Sequence, residues 1–403
     1  MNARRDDRGS VSRLLESQLT RRRALRYGAG AFAGLTLPSV LAACGDDDDG
    51  SSQDNGGSAG GPAEAPKASG TIDFFGWEGE DLKGIAPVEA FLEENGARLK
   101  ASYTPTLDDI TPKLQGGGGI DLLAYTSVVT ERLQTNDLLQ PLDPQKLPNL
   151  AKLLPRWQED NPQWIDDGER VFVQSFFQAF SIIYNSDEVT DPPTSYRGLL
   201  EPEFKDRIVT WAEPNAAFGV ISDMLDIEQG KVPKDRIDEL ADTFQQFVQH
   251  SKSVAASPGD IVTQLVSGEV VAVFLGTPQF TLFANGAGGK GKAAKDVVEV
   301  EDGNMSFTDG YGIPAGADNV DGAYAFINNV LEPKVNAAIS EAFGGGVVVE
   351  GAEQLLPAER RLYPSERLDQ ILEAAPLQVL APLESDEYVT QGEWIERFTQ
   401  LTS

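Results

Sequence analysis

The sequence predicts an α/β fold of two lobes built on largely parallel sheets, carried behind an address segment and a flexible tether. Three observations predict it. From residue 70 to the end, short apolar runs alternate with helical periodicities, the pattern of strands and helices taken in turn. That stretch, about 330 residues, is more than one hydrophobic core serves well, so two lobes are expected. The segment before it differs in charge and composition from everything after it.

The chain has 403 residues and a formal net charge of −30, yet residues 1–43 hold eight arginines against three acids. A basic head on an acidic body has the character of a targeting segment. Thr20-Arg21-Arg22-Arg23-Ala24-Leu25-Arg26 followed by an uncharged run to Ala43 resembles a twin-arginine export signal. Gly28, Gly30, Gly34 and Pro38 interrupt that run, which is too short and too weakly apolar for a membrane span. Leu41-Ala42-Ala43-Cys44-Gly45 resembles the lipobox of bacterial lipoproteins, which implies that Cys44 is lipidated and becomes the first mature residue. Residues 44–69 then form a tether: beyond Cys44 they hold no large apolar residue to offset the entropy of ordering. The acidic run from Asp46 to Asp49 is read as solvation, because calcium wants a shaped loop of six to eight oxygens.

The body begins near Gly70. Thr71 to Phe75 reads as a strand, and Val88, Phe91 and Leu92 behind Pro87 read as a helix face. Strands are expected at Leu99 to Tyr103, Ile120 to Ala124, Val171 to Phe177, Phe180 to Tyr184, Ile208 to Trp211 and Val270 to Phe274. Ile237, Leu240, Ala241, Phe244 and Val248 mark one helix, Ala323 to Leu331 another, and Trp394, Ile395 and Phe398 a last one.

Several chemistries are excluded or disfavoured. With one cysteine there is no intrachain disulfide and no cysteine zinc site; with His250 the only histidine, no mechanism using two is available. No cofactor is indicated, and an acidic chain is a poor partner for nucleic acid. Gly286 to Ala293 satisfies most of a phosphate-loop pattern, but Ala293 stands where a magnesium-holding hydroxyl is needed, so a mobile Gly/Lys loop is expected. A secreted hydrolase is the alternative to a binding protein, but no G-x-S-x-G elbow marks one.

Binding is better supported. Ligands of open α/β sheets sit beyond the carboxyl ends of strands. Trp77, Glu78 and Glu80 follow the first strand; Thr126 and Ser127 follow the third; Glu213 follows Ile208 to Trp211. Phe274 closes its strand with Thr277 after it, and Phe307 and Asp309 precede Tyr311-Gly312-Ile313. Carboxylates neutralise ammonium groups and aromatic faces attract them, so these residues suit an organic cation.

The body resembles the bacterial extracellular solute-binding proteins of the spermidine/putrescine-binding group. The likeness is carried by Phe74-Phe75-Gly76-Trp77, Ile120-Asp121-Leu122-Leu123, Leu138 to Asp143, Ile183-Tyr184-Asn185, Thr194-Ser195-Tyr196, Ser267-Gly268-Glu269 and Thr308-Asp309-Gly310-Tyr311-Gly312-Ile313-Pro314. The resemblance implies a type II periplasmic-binding-protein-like fold with its ligand cleft between the lobes. It implies residues 70–185 and 306–345 in lobe 1, 186–305 and 346–403 in lobe 2, and crossovers near 184–186, 305–309 and 345. It implies capture of a polyamine-like cation, the alternative being another small organic cation or a different solute in the same fold, with delivery to an ABC permease, a monomer, and residence on the outer face of the cytoplasmic membrane. Trp77, Thr126, Glu213 and Asp309 stand at matching binding positions, and Phe274 and Phe307 stand where the family usually has Trp. Val128 and Gly345 stand where polyamine binders carry aromatics, and Ala216 where a second acid is expected. An iron-binding relative would show adjacent tyrosines, and this chain has no Tyr-Tyr pair.

Overall fold

The computed structural model describes residues 64–104 and 106–403. The expected export signal over 1–43, Cys44 and the part of the expected tether up to residue 63 lie outside the described residues. Among the described residues no helix is long and apolar enough to cross a membrane.

The chain builds one sheet, leaves it for a second, and returns. β1 (Gly70–Gly76), β2 (Ala97–Tyr103) and β3 (Leu122–Thr126) start the first sheet. A small hairpin, β4 (Ile165–Asp166) and β5 (Glu169–Arg170), precedes β6 (Val173–Ala179). Only Phe180 separates β6 from β7 (Ser181–Asn185), which already belongs to the second sheet. β8 (Ile208–Trp211), β9 (Ser253–Ala255), β10 (Ala272–Gly276) and β11 (Ala294–Val297) complete that sheet, and β12 (Ser306–Gly312) re-enters the first. The orders are β2-β1-β3-β12-β6 and β11-β7-β10-β8-β9. β3, β6 and β10 are buried along their whole length, which is why they read as continuous apolar runs and not as alternations.

The sheets are mixed, not largely parallel as expected. β1 pairs parallel with β2 and β3, and β8 pairs parallel with β9 and β10. Every pairing made by β7 or β12 is antiparallel. The reason is topological. β7 and β12 have each just entered their sheet at the junction between lobes, so they run away from it, against β3, β6, β10 and β11, which run toward it. Apolar periodicity carries no strand direction, so the sequence could not show this.

Three segments cross the junction side by side: Phe180, residues 298–305, and the stretch after Ala375. Phe180 donates from its N–H to the Met305 carbonyl at 2.9 Å, Ser306 to the Pro376 carbonyl at 2.8 Å, and Gln378 to the Ser306 carbonyl at 2.7 Å. Segment 346–375 was expected with the second lobe. Its apolar residues, among them Val348, Leu356, Tyr363 and Ile371, instead pack into the core of the first. Ala381, Val389, Trp394 and Phe398 pack into the second. A side chain's apolarity says that it is buried, not in which core.

The expected Gly/Lys loop is a packed 3-10 turn, Gly289–Ala293. A Cβ at Gly291 would lie 2.5 Å from the Ala284 carbonyl oxygen, so the glycine serves close approach of backbone to backbone.

Candidate functional site

The carboxyl ends of β1 and β3 and the first residues of β12 meet at the junction. Thr126 and Asp309 are register partners across β3 and β12. Glu80 arrives from the loop after β1, held by the Tyr311 hydroxyl, which donates to the Glu80 carbonyl at 2.7 Å. Glu80 and Asp309 are both buried, and their carboxyls hydrogen-bond to each other, with the Thr126 hydroxyl also on Asp309. Glu80 Oε2 and Asp309 Oδ1 remain buried with no partner.

The electrostatics follow from that placement. Burial pushes the Glu80 carboxyl well above the usual range, and the neighbouring Asp309 charge raises it further. Burial also pushes Asp309 up to about 6, against the hydrogen bonds from Thr126 and Glu80. Of the two, Glu80 holds its proton the more tightly. Among the described residues, no lysine or arginine is one of the groups that act on either acid. A buried charge without a counter-charge is costly unless something arrives to pair with it. Asp81, next to this pair and buried, accepts from the Tyr103 hydroxyl at 2.8 Å.

Aromatic rings bridge the junction. Phe307, half-buried, packs against both main cores and lies 5.5 Å from Phe180 between ring centroids. Phe180 lies 6.3 Å from Trp211, and Trp211 5.1 Å from Phe280. Trp77 and Glu78 are half-buried in the loop after β1. Thr277 begins the helix Pro278–Ala287 beyond β10, with its buried hydroxyl unpartnered.

Other expected residues have different work. Phe274 is fully buried in the second core, stacked 3.9 Å from Phe247 and edge-on to Tyr196 at 5.1 Å. A phenylalanine that closes a buried strand reads the same in sequence whether it faces a ligand or a core. Glu213 caps the helix Pro214–Met224: its carboxylate accepts from the Ala216 N–H and from Asn215 Nδ2. Burial raises its carboxyl, the bonds from Ala216 and Asn215 oppose this, and Asp108 of the first lobe adds to it. The Ser127 hydroxyl donates to Gln163 Oε1 at 2.6 Å, and Gln163 Nε2 in turn donates to the Gln378 carbonyl at 2.8 Å. Ser127 thus steadies the junction through Gln163.

Sequence reasoning missed Phe180, Trp211, Asp81 and Asp296. Trp211 was open to discovery, since it ends a recognised strand. Asp296 was not, because Ala-Lys-Asp-Val has no strand-like alternation. Two small cavities lie away from the acid pair: one beside Val298 and Arg367, the other under glycines 117–119. The lobes touch across the seam, where Arg132 Nη2 donates to Gln391 Oε1 at 2.8 Å.

Comparison with known proteins gives the same fold and a family. The chain is 25% identical over 347 residues to spermidine/putrescine-binding periplasmic protein 1 of Haemophilus influenzae, covering 83% of this chain and 91% of that one. It is 26% identical over 322 residues to the putrescine-binding periplasmic protein PotF of Escherichia coli, covering 73% and 82%. Among solved structures, the substrate-binding protein PotD of a Streptococcus pneumoniae spermidine/putrescine ABC transporter superposes with a TM-score of 0.66. It does so at 20% identity, over 82% of this chain and 97% of that one. A PotD lipoprotein of Treponema pallidum gives 0.67 at 17% identity, over 82% and 98%. The model of the bacterial extracellular solute-binding protein family matches residues 86–359, and the chain belongs to that family.

Proposed function

We propose that this protein captures a polyamine, a spermidine- or putrescine-like cation, between its lobes and delivers it to an ABC permease. One observation supports the reading: two buried acids, Glu80 and Asp309, meet at the junction, each with an oxygen lacking a hydrogen-bond partner and, among the described residues, with no basic side chain acting on them. The rings of Phe307, Phe180 and Trp211 supply apolar and π faces for a methylene chain and its ammonium groups. The names of the relatives agree with this chemistry.

Calorimetric titration with spermidine and putrescine tests the reading. One-to-one binding is expected, and Asp309→Asn should weaken it by about 1 kcal/mol or more, the worth of a charge-assisted hydrogen bond. Absence of binding by any amine would overturn the proposal.

The receptor works, in this reading, as a monomer held on the outer face of the cytoplasmic membrane by lipid on Cys44. Several acyl chains, at about 0.8 kcal/mol per buried CH₂, make such an anchor stable. Cys44→Ser should move the protein from the membrane to the soluble fraction of cells. Retention on the membrane would count against the anchor.

A further inference from the structure

A diamine needs an acid at each end, and the first lobe supplies one. Glu213 was the expected second acid, but its carboxylate is engaged by Ala216 and Asn215 as a helix cap. Another acid stands at the junction end of the second sheet. Asp296 lies in β11 opposite Ile183 of β7, near the end where β8 stops at Trp211 and β10 at Gly276. Its Oδ1 accepts from the Ser181 hydroxyl and from the Thr281 hydroxyl, both at 2.9 Å. Ser181 is the residue after Phe180, the ring that bridges the lobes. Thr281 lies one helical turn beyond Thr277, whose buried hydroxyl has no partner. The first lobe is close: Asp296 acts electrostatically on Tyr363, whose hydroxyl accepts from the Ala179 N–H at 3.1 Å. Burial raises the Asp296 carboxyl to about 6, and no basic side chain is among the groups acting on it. Half-buried where Asp309 is buried, Asp296 shares with it hydroxyl donors on the carboxyl and, among the described residues, no basic group acting on it.

We propose that Asp296, oriented by Ser181 and Thr281, receives the ligand's second ammonium group, so that the site selects diammonium over monoammonium cations. This rests on the amine-receptor reading and deepens it. Asp309 with Glu80 holds one end of the chain, Asp296 the other, and the Phe307–Phe180–Trp211 rings lie along the methylenes between. Because the two acids stand on different sheets, only a ligand charged at both ends ties the lobes together.

The test titrates the full chain with 1,4-diaminobutane and with 1-aminobutane, which share a carbon skeleton and differ by one ammonium group. The wild type should prefer the diamine by about tenfold or more. Asp296→Asn should remove most of that preference, weakening the diamine about tenfold and leaving the monoamine within about twofold. The paired change Ser181→Ala with Thr281→Val, which leaves the acid but frees it, should weaken the diamine alone and by less. It also serves if Asp296→Asn does not fold. Equal wild-type affinity for the two amines, or equal loss of both in Asp296→Asn, would overturn the role of Asp296 while the amine reading stands. Failure of both amines to bind the wild type would overturn both.

Discussion

Asp309 is buried without a counter-charge, and the empty receptor should feel this as a dependence of stability on pH. A carboxyl raised to about 6 in the folded state, against about 3.9 in the unfolded chain, binds its proton more tightly when folded. The stability it contributes is fully present below pH 4 and is lost as pH rises through 6. Asp296 titrates in the same window, so the wild type carries both losses. Asp309→Asn stays neutral throughout. Without ligand it should melt above the wild type at pH 7–8, and the difference should shrink as pH falls toward 4. Thermal melts across this range read it directly. Amine affinity should move the other way, falling as pH drops through 6, because a cation pairs with the ionised acid. A variant less stable than wild type at every pH would mean that Asp309 is a structural residue and not a site held ready for a cation.

At the scale of elements, what the sequence disclosed and what it hid have separate physical causes. β1, β3, β8 and the helix Ile237–His250 were legible because burial writes itself into composition and period: Phe74 and Ile72 face inward, and Leu240, Ala241, Phe244 and Phe247 share a buried stripe. β9 and β11 are short, and β11 runs at a sheet edge with Lys295 exposed, so neither presents a pattern. Glu80 was picked out because it follows a strand that was itself visible, and Asp309 because it stands beside the strand-like Tyr311-Gly312-Ile313. Phe274 and Phe307 show the limit. Both are phenylalanines in strands near the junction, yet Phe274 stacks inside a core and Phe307 spans two. Only the register and the sheet's neighbours separate them. Gly345 is explained at this scale as well. A Cβ there would lie 2.8 Å from Phe176 Cδ2 and 2.9 Å from the Phe177 carbonyl oxygen, so the stacked Phe176–Phe343 pair, 4.8 Å apart, fills the space an aromatic at 345 would need.

For the whole molecule, function requires the two lobes to part and meet, and the contacts that hold them together bound how readily they do so. Arg132 is the clearest of these. It pairs with Asp108 of its own lobe at 2.9 Å and reaches Gln391, the first residue of the last helix in the second lobe, at 2.8 Å. Asp108 is more than half exposed, so the ion pair alone is worth less than about 1 kcal/mol, and the bond to Gln391 adds about as much. Such a clasp biases closure without locking it. A stronger one would hold the empty receptor shut and hinder entry; none would leave the ligand to bear the whole cost of closing. Arg132→Ala should therefore move the empty protein toward the open form, seen as a larger radius of gyration in small-angle X-ray scattering. Amine affinity should fall by a few-fold, by about the bias removed and no more than about tenfold. The saturated complex should scatter like the wild type, since ligand contacts on both lobes supply the closure that the clasp no longer assists. Unchanged scattering from the empty variant, together with unchanged affinity, would show that Arg132 only decorates a seam closed by other contacts, such as the Gln163 bond to the Gln378 carbonyl.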